Sequence, residues 1–253
     1  MANKKFSELT LYEQNLKKYH KASDRHILVV ETDMSPSDVF KIFKFSDKER
    51  KAKNELVAMM KKAYEQLIRT KRYRKLLLLY GKTKDKAKKT LYAEQLKQMQ
   101  EEYHLTWEFC RKAMQPICRK YDIGAPFYTT CAEDVWNGVK KILYFDGKIL
   151  HFSKFGEYPC IRAKEYSRGI PMSVKNDVLM FKFRKIKFEI NIKDRFQQDE
   201  VNAVLNYMQN SKKEDMYAVK YFTETGECVS TYRPCYATLV PRKSEVSIGY
   251  ICI

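Results

Sequence analysis

Apolar positions recur along this chain with two different periods, and the change falls near residue 148. Leu56, Met60, Ala63, Tyr64 and Leu67 follow one another in steps of three and four, a spacing that stacks them on one face of a helix. Lys51, Lys53, Lys61, Lys62 and Arg69 fall on its other faces. Ser46-Asp47-Lys48-Glu49 reads as a capping box, in which hydroxyl and carboxylate satisfy backbone donors at a helix start, so a long helix is expected from there to a break at Gly81. Tyr92, Leu96, Met99 and Tyr103 carry a second helix, completing a helical hairpin. A third pattern covers Trp107 to Lys120 and stops before Gly124 and Pro126. A fourth, with Val135, Trp136, Val139, Ile142 and Leu143, stops at Asp146-Gly147.

Beyond that point helix formers give way to short alternating runs: Ile149 to Phe155, Cys160 to Ala163, Val178 to Phe183, Ile186 to Ile192, Tyr217 to Phe222 and Cys228 to Val240. These read as strands. One helix, roughly Asp199 to Met208 with Val201, Val204, Leu205 and Met208 apolar, interrupts them. The first 45 residues hold a β-like run at His26 to Glu31 and an apolar/basic alternation at Val39 to Phe45. The expected fold class is α+β: a helical lobe (46–148) inserted into a small antiparallel β-barrel. Residues 1–45 supply its N-terminal segment and first strands, and 149–243 supply the rest. Residues 244–253 form a C-terminal tail whose Ile-Gly-Tyr-Ile-Cys-Ile run reads either as a final strand or as the mark of a chain that stops early.

Charge narrows the function. Lys and Arg number 49 against 31 Asp and Glu, a formal +18 over 253 residues. Phosphate backbones are the commonest anionic partner for such a surplus. A membrane is the rival, but no apolar run approaches the roughly 20 residues a span needs, and the basic residues are spread rather than gathered on one amphipathic helix. Met1 to His20 is polar, without the apolar core of a secretory signal, so a cytoplasmic protein is expected. Seven cysteines, an odd number with no Cys-x-x-Cys, read as reduced thiols. A zinc set of His104, Cys110, Cys118 and Cys131 has the right ligand types but the spacing of no standard knuckle.

Signs of catalysis are thin. His20, His26, His104 and His151 have no Cys or carboxylate at metal-ligand spacing, and neither a Gly-rich phosphate loop nor a Gly-x-Ser-x-Gly elbow occurs. Asp194 and the Glu133-Asp134 pair adjoin expected helix starts, where capping accounts for them. The positive stretches say more. Lys71, Arg72, Arg74 and Lys75, with Tyr73 and Tyr80 interleaved, join Lys82, Lys84, Lys86, Lys88 and Lys89 across Gly81 as a basic elbow. Cations there would grip phosphates while tyrosines stack on bases. A second set, Lys154, Arg162, Lys164, Arg168, Lys175, Lys182, Arg184, Lys185 and Lys187, decorates the expected strands, and alternation would place many on one outer face as a groove for an RNA helix or heteroduplex. Tyr232-Arg233-Pro234 is a third candidate.

The order of the pieces resembles the front half of TnpB-like transposon-encoded RNA-guided nucleases and the related type V CRISPR effectors. The stretches that carry the resemblance are Leu79-Tyr80-Gly81-Lys82-Thr83, then Ala132-Glu133-Asp134-Val135-Trp136 leading to Leu150-His151-Phe152-Ser153-Lys154-Phe155-Gly156, and Thr231-Tyr232-Arg233-Pro234-Cys235-Tyr236-Ala237. Together they cover most of the chain from about residue 40 to 243, as texture and order rather than as a catalytic motif. The resemblance implies a helical recognition lobe and a wedge, OB-like barrel that hold guide RNA and the guide–target duplex, with base pairing supplying specificity. It also implies a RuvC-like nuclease domain with metal-binding acids, and no residue here matches that part. The expectation is thus a binding module without a nuclease site or cofactor of its own; magnesium would belong to a separate RuvC-like domain. Its expected partners are guide RNA and target DNA, with a RuvC-like chain or a second copy left open. Two alternatives stand beside it: an RNA-guided repressor that binds without cutting, and a guide-processing ribonuclease using Lys/His or Tyr as acid and base.

Overall fold

The computed structural model describes residues 26–145, 147–163, 168–210, 221–222, 228–229, 234–242 and 245–252. Residues 39–161 form one compact unit, and the described residues outside that range form another. The fold class is α+β.

The first unit is helical. Its long helix α1 spans Pro36–Arg69, ten residues earlier than the capping box at Ser46 predicts. A different box starts it. The Ser35 hydroxyl accepts from the Asp38 backbone N–H at 3.2 Å and donates to the Asp38 carboxylate at 2.9 Å, with Pro36 in the first turn, where its missing N–H costs nothing. Val39 to Phe45 is therefore helix, not strand: Ile42 and Phe45 point into the core while Phe40 is exposed. Ser46 lies inside the helix, its hydroxyl donating to the Pro159 carbonyl at 2.6 Å.

The chain turns at Thr70, whose extended backbone (ψ 121°) separates α1 from α2, Lys71–Lys82. Gly81 is not the break; α2 runs through it, at a cost of about 1 kcal/mol relative to alanine. Helix α3 spans Lys86–Glu102, α4 Trp107–Lys120 and α5 Tyr128–Tyr144. Helices α3 and α4 end on left-handed residues that are not glycine, His104 (φ 59°) and Asp122 (φ 55°). In each, the next residue closes a Schellman bond, Leu105 N–H to Gln100 O and Ile123 N–H to Cys118 O, and buries its side chain.

Residues 149–155 do not form the predicted strand. The Asn54 amide takes both backbone groups of Ser153, accepting from its N–H at 2.9 Å and donating to its carbonyl at 2.9 Å. A side chain of α1 thus satisfies what a neighbouring strand would have satisfied. Tyr158 packs edge-on against Phe43, with ring centroids 4.8 Å apart. Gly147 permits the turn after α5, since a Cβ there would lie 2.7 Å from the Lys141 backbone.

The second unit is built on a curled, open antiparallel sheet of seven strands in the order β2-β8-β9-β1-β5-β4-β3. The strands are β1 His26–Asp33, β2 Ile161–Arg162, β3 Met172–Lys175, β4 Val178–Phe183, β5 Ile186–Asn191, β8 Pro234–Arg242 and β9 Glu245–Cys252. A separate pair joins β6, Tyr221–Phe222, to β7, Cys228–Val229. The expected tail is a central strand: β9 pairs with β1 from His26↔Cys252 to Glu31↔Ser247, and with β8 on its other side. Alternation in β4 and β5 buries Leu179, Phe181, Phe183, Ile186 and Phe188. Helix α6, Arg195–Asn210, lies against β1, β3 and β4 through a face that includes Val201, Val204 and Leu205. Its start is capped as expected, with the Asp194 carboxylate accepting from the Gln197 N–H at 2.8 Å. Among the described residues, no helix is long and apolar enough to cross a membrane.

Candidate nucleic-acid interface

Helices α2 and α3 form a hairpin. Asp85 caps α3, accepting from the backbone N–H groups of Ala87 and Lys88 at 2.9 and 3.4 Å. Tyr73 and Leu76 of α2 are buried, as are Leu96, Met99 and Gln100 of α3, and Gln100 links the Tyr73 hydroxyl at 3.4 Å to that of Tyr144 at 2.8 Å. Tyr73 is therefore no stacking platform: it is 2% exposed, and burial raises its phenol pKa against the opposing pull of Gln100. Tyr80 is exposed instead, with the Lys89 ammonium 5.1 Å from its ring centre.

Cations are dense from the end of α1 to the first turn of α3. From Arg69 to Lys89 there are ten basic residues and one carboxylate, a surplus of nine against +18 for the whole chain. Lys71, Arg72, Arg74, Lys75, Lys82, Lys84 and Lys86 are exposed, and among the described residues none of these seven forms an ion pair. Because α2 continues through Gly81, the turn falls at Thr83–Asp85 instead, with Lys82, Lys84, Lys86, Lys88 and Lys89 around it. Lys71, Lys75 and Lys82 recur at helical spacing, extending the charge as a stripe along the helix's twelve residues, about 18 Å at 1.5 Å per residue.

This placement works against the helix. Lys71, Arg72, Arg74 and Lys75 crowd the positive end of the α2 dipole, with no acid in the first turn and no side-chain cap from Thr70. Such cations are stabilising at the opposite end of a helix and unfavourable here. Together they make a strongly electropositive surface.

On the sheet unit, Lys175, Lys182, Lys185 and Lys187 are exposed. The register sets Lys182 directly opposite Lys187, a like-charge cross-strand pair that destabilises a sheet. Arg184 and Lys185 form the two-residue turn between them, Arg184 at φ 53°. Arg168 is exposed and Arg162 half-buried in β2. Lys154 is exposed on the loop of the helical unit, not on a strand. Lys164, Tyr232 and Arg233 lie outside the described residues.

Lys53 is not on an outer face but buried, its ammonium 2.8 Å from Asp134 and 3.4 Å from Glu49. Asp134 is thus an ion-pair partner inside α5 rather than a cap. Burial disfavours the Lys53 ammonium, but Glu49, Cys131 and Asp134 outweigh it and raise its pKa. Glu49 is left short: its Oε1 has no hydrogen-bond partner, and burial pushes its pKa up to about 7 despite Lys53. The i, i+4 spacing of Glu49 and Lys53 was the available signal. A cleft of about 470 Å³ opens over this ion pair. Val57, Val135, Ile149 and Leu150 line it, together with Lys141, Lys148 and His151.

Cys110, Cys118 and Cys131 are buried free thiols, and burial raises Cys110 to about 12. Cys110 lies 3.7 Å from the Met60 sulfur, and His104 stacks on Phe109. Among the described residues, no three His, Cys, Asp or Glu side chains gather as a metal site. No family model matches this chain, and no curated protein matches it.

Proposed function

We propose that this chain is a nucleic-acid-binding module that grips phosphates along the α2–α3 hairpin. The observation that carries the reading is the surplus of nine positive charges between Arg69 and Lys89, with seven of these cations exposed and, among the described residues, without ion pairs. Cations placed at the wrong end of a helix dipole, and Lys182 set opposite Lys187, both cost folding stability, and an external polyanion relieves both costs. The stripe's length corresponds to about five nucleotides of one strand at about 3.4 Å per phosphate.

The narrower form of this proposal follows the resemblance to TnpB-like and type V systems. In it the helical unit acts as a recognition lobe and the sheet unit as a wedge, holding guide RNA and the guide–target duplex, with cleavage supplied by a RuvC-like chain. Sequencing the RNA that copurifies with the protein tests it: one discrete species with a variable end is expected, and a random sample of cellular RNA overturns the guided form.

The broader form is tested by salt. Affinity for a structured RNA should fall steeply between about 50 and 200 mM salt, and replacing Lys71, Arg72, Arg74 and Lys75 by alanine should flatten the log–log slope by about 3, near 0.7 to 0.9 per lost contact. A slope unchanged in that variant removes the hairpin from the interface.

A further inference from the structure

The cleft above Lys53 and Asp134 combines features that rarely coincide by accident of packing. Its volume, about 470 Å³, falls in the range of small-molecule sites. Val57, Val135, Ile149 and Leu150 offer apolar walls. The polar groups on them, the Lys53 ammonium and the Asp134 carboxylate, stand 2.8 Å apart and so present a donor beside an acceptor. Lys141 and Lys148, both exposed, bring positive charge to the same lining. An occupant suited to these groups has a flat apolar body, a hydrogen-bonding edge with donor and acceptor, and a negative charge. A nucleotide has all three.

The loop that builds one wall supplies an independent observation. Phe152 and Phe155 are 46% and 84% exposed, although Ser153 between them is fastened to α1 by Asn54. Each ring has a cation near its face: Lys61 lies 5.6 Å from the Phe152 centre, and the Arg50 guanidinium 5.7 Å from that of Phe155. Exposed rings amid cations are what unpaired bases stack on.

We propose that this cleft receives one unpaired nucleotide of a bound strand, its base between the apolar walls and its phosphates toward Lys141 and Lys148, with neighbouring bases on Phe152 and Phe155. The assignment rests on the nucleic-acid reading above and adds a preference for unpaired over paired nucleotides.

The test uses the full chain and two RNA hairpins that differ at one position, a 2-aminopurine either bulged out or paired. The bulged RNA should bind about tenfold tighter, the scale of one base stacked on protein, and only its probe should change fluorescence on binding. Val57→Trp, which fills the cleft, should bring the two affinities together. The exposed pair Lys141→Glu/Lys148→Glu should do the same, and it carries the test if the first variant does not fold. Alanine at Lys71, Arg72, Arg74 and Lys75 should weaken both RNAs alike and leave their ratio unchanged. Equal binding of the two RNAs by the unaltered chain, or a preference that survives both cleft variants, overturns the cleft and leaves the hairpin standing. Failure to bind either RNA overturns the nucleic-acid reading itself. Adenosine monophosphate that saturates the cleft without any preference for the bulged RNA assigns the site to a free nucleotide and overturns the strand-borne form.

Discussion

At the scale of single residues, Glu49 is the least comfortable group in the helical unit. Between its ordinary value of 4.5 and about 7, the folded chain keeps a proton on Glu49 that the unfolded chain has released. Stability therefore falls as pH rises through that window, by at most about 3 kcal/mol. Asp47 and Glu55 shift the other way. Burial pushes Asp47 up, but Lys51 and Arg50 outweigh it, and Lys120 holds Glu55 down; their contributions are lost only at more acid pH. Thermal melts should show the midpoint dropping from pH 5 to pH 8, and Glu49→Gln should flatten that drop and raise the midpoint at pH 8. A parallel pH trend in the variant would exclude Glu49 as its source. Neither the burial of Lys53 nor that of Tyr73 was legible in the sequence, because charge and hydroxyl assign both to the surface. Only three-dimensional neighbours, Asp134 for one and Gln100 for the other, make their burial tolerable.

Among elements, the hairpin of β3 and β4 turns through Asn176-Asp177, both at positive φ (49° and 58°), with Lys175↔Val178 closing the ladder. This is the conformation of a type I′ turn, in which the second position favours glycine. Asp177→Gly should stabilise the chain by about 1 kcal/mol, the cost of holding an L-residue left-handed, less the bond that Asp177 accepts from Gln209 at 2.8 Å. A lower denaturant midpoint for the variant would show that this bond outweighs the strain. Helix faces were readable because burial in α1 obeys the 3.6-residue period, as at Leu56, Met60 and Leu67. Element limits were less so. Two capping boxes compete within Ser35–Glu49, and the outer one starts the helix. Thr70 carries no breaker's chemistry, and His104 and Asp122 do the work usually given to glycine. Residues 149–155 alternate as a strand should, yet Asn54 takes both backbone bonds of Ser153 at their middle. The basic stripe was legible as a run of residue types; its extent along α2 was not, since that depends on the helix surviving Gly81.

For the whole molecule, +18 over 253 residues stores self-repulsion that counterions or a polyanion relieve. The melting temperature of the free chain should rise with salt between about 20 and 200 mM, within the range where the Debye length falls below the spacing of surface charges. Structured RNA at about 100 times its dissociation constant should add about 2.7 kcal/mol. Insensitivity to both would mean that the charges are already compensated within the fold. The sheet has a consequence of another kind, in the order of synthesis. Thr32 of β1 donates its hydroxyl to the Val246 carbonyl at 2.6 Å, across 214 residues of chain, and β9 lies between β1 and β8. On the ribosome, α1 to α5 are complete once the segment through Pro159 has followed them, while β1 must wait with an open edge until β9 appears. The period between those two moments is when this chain most needs a chaperone, and slowing translation ahead of β9 should lengthen it.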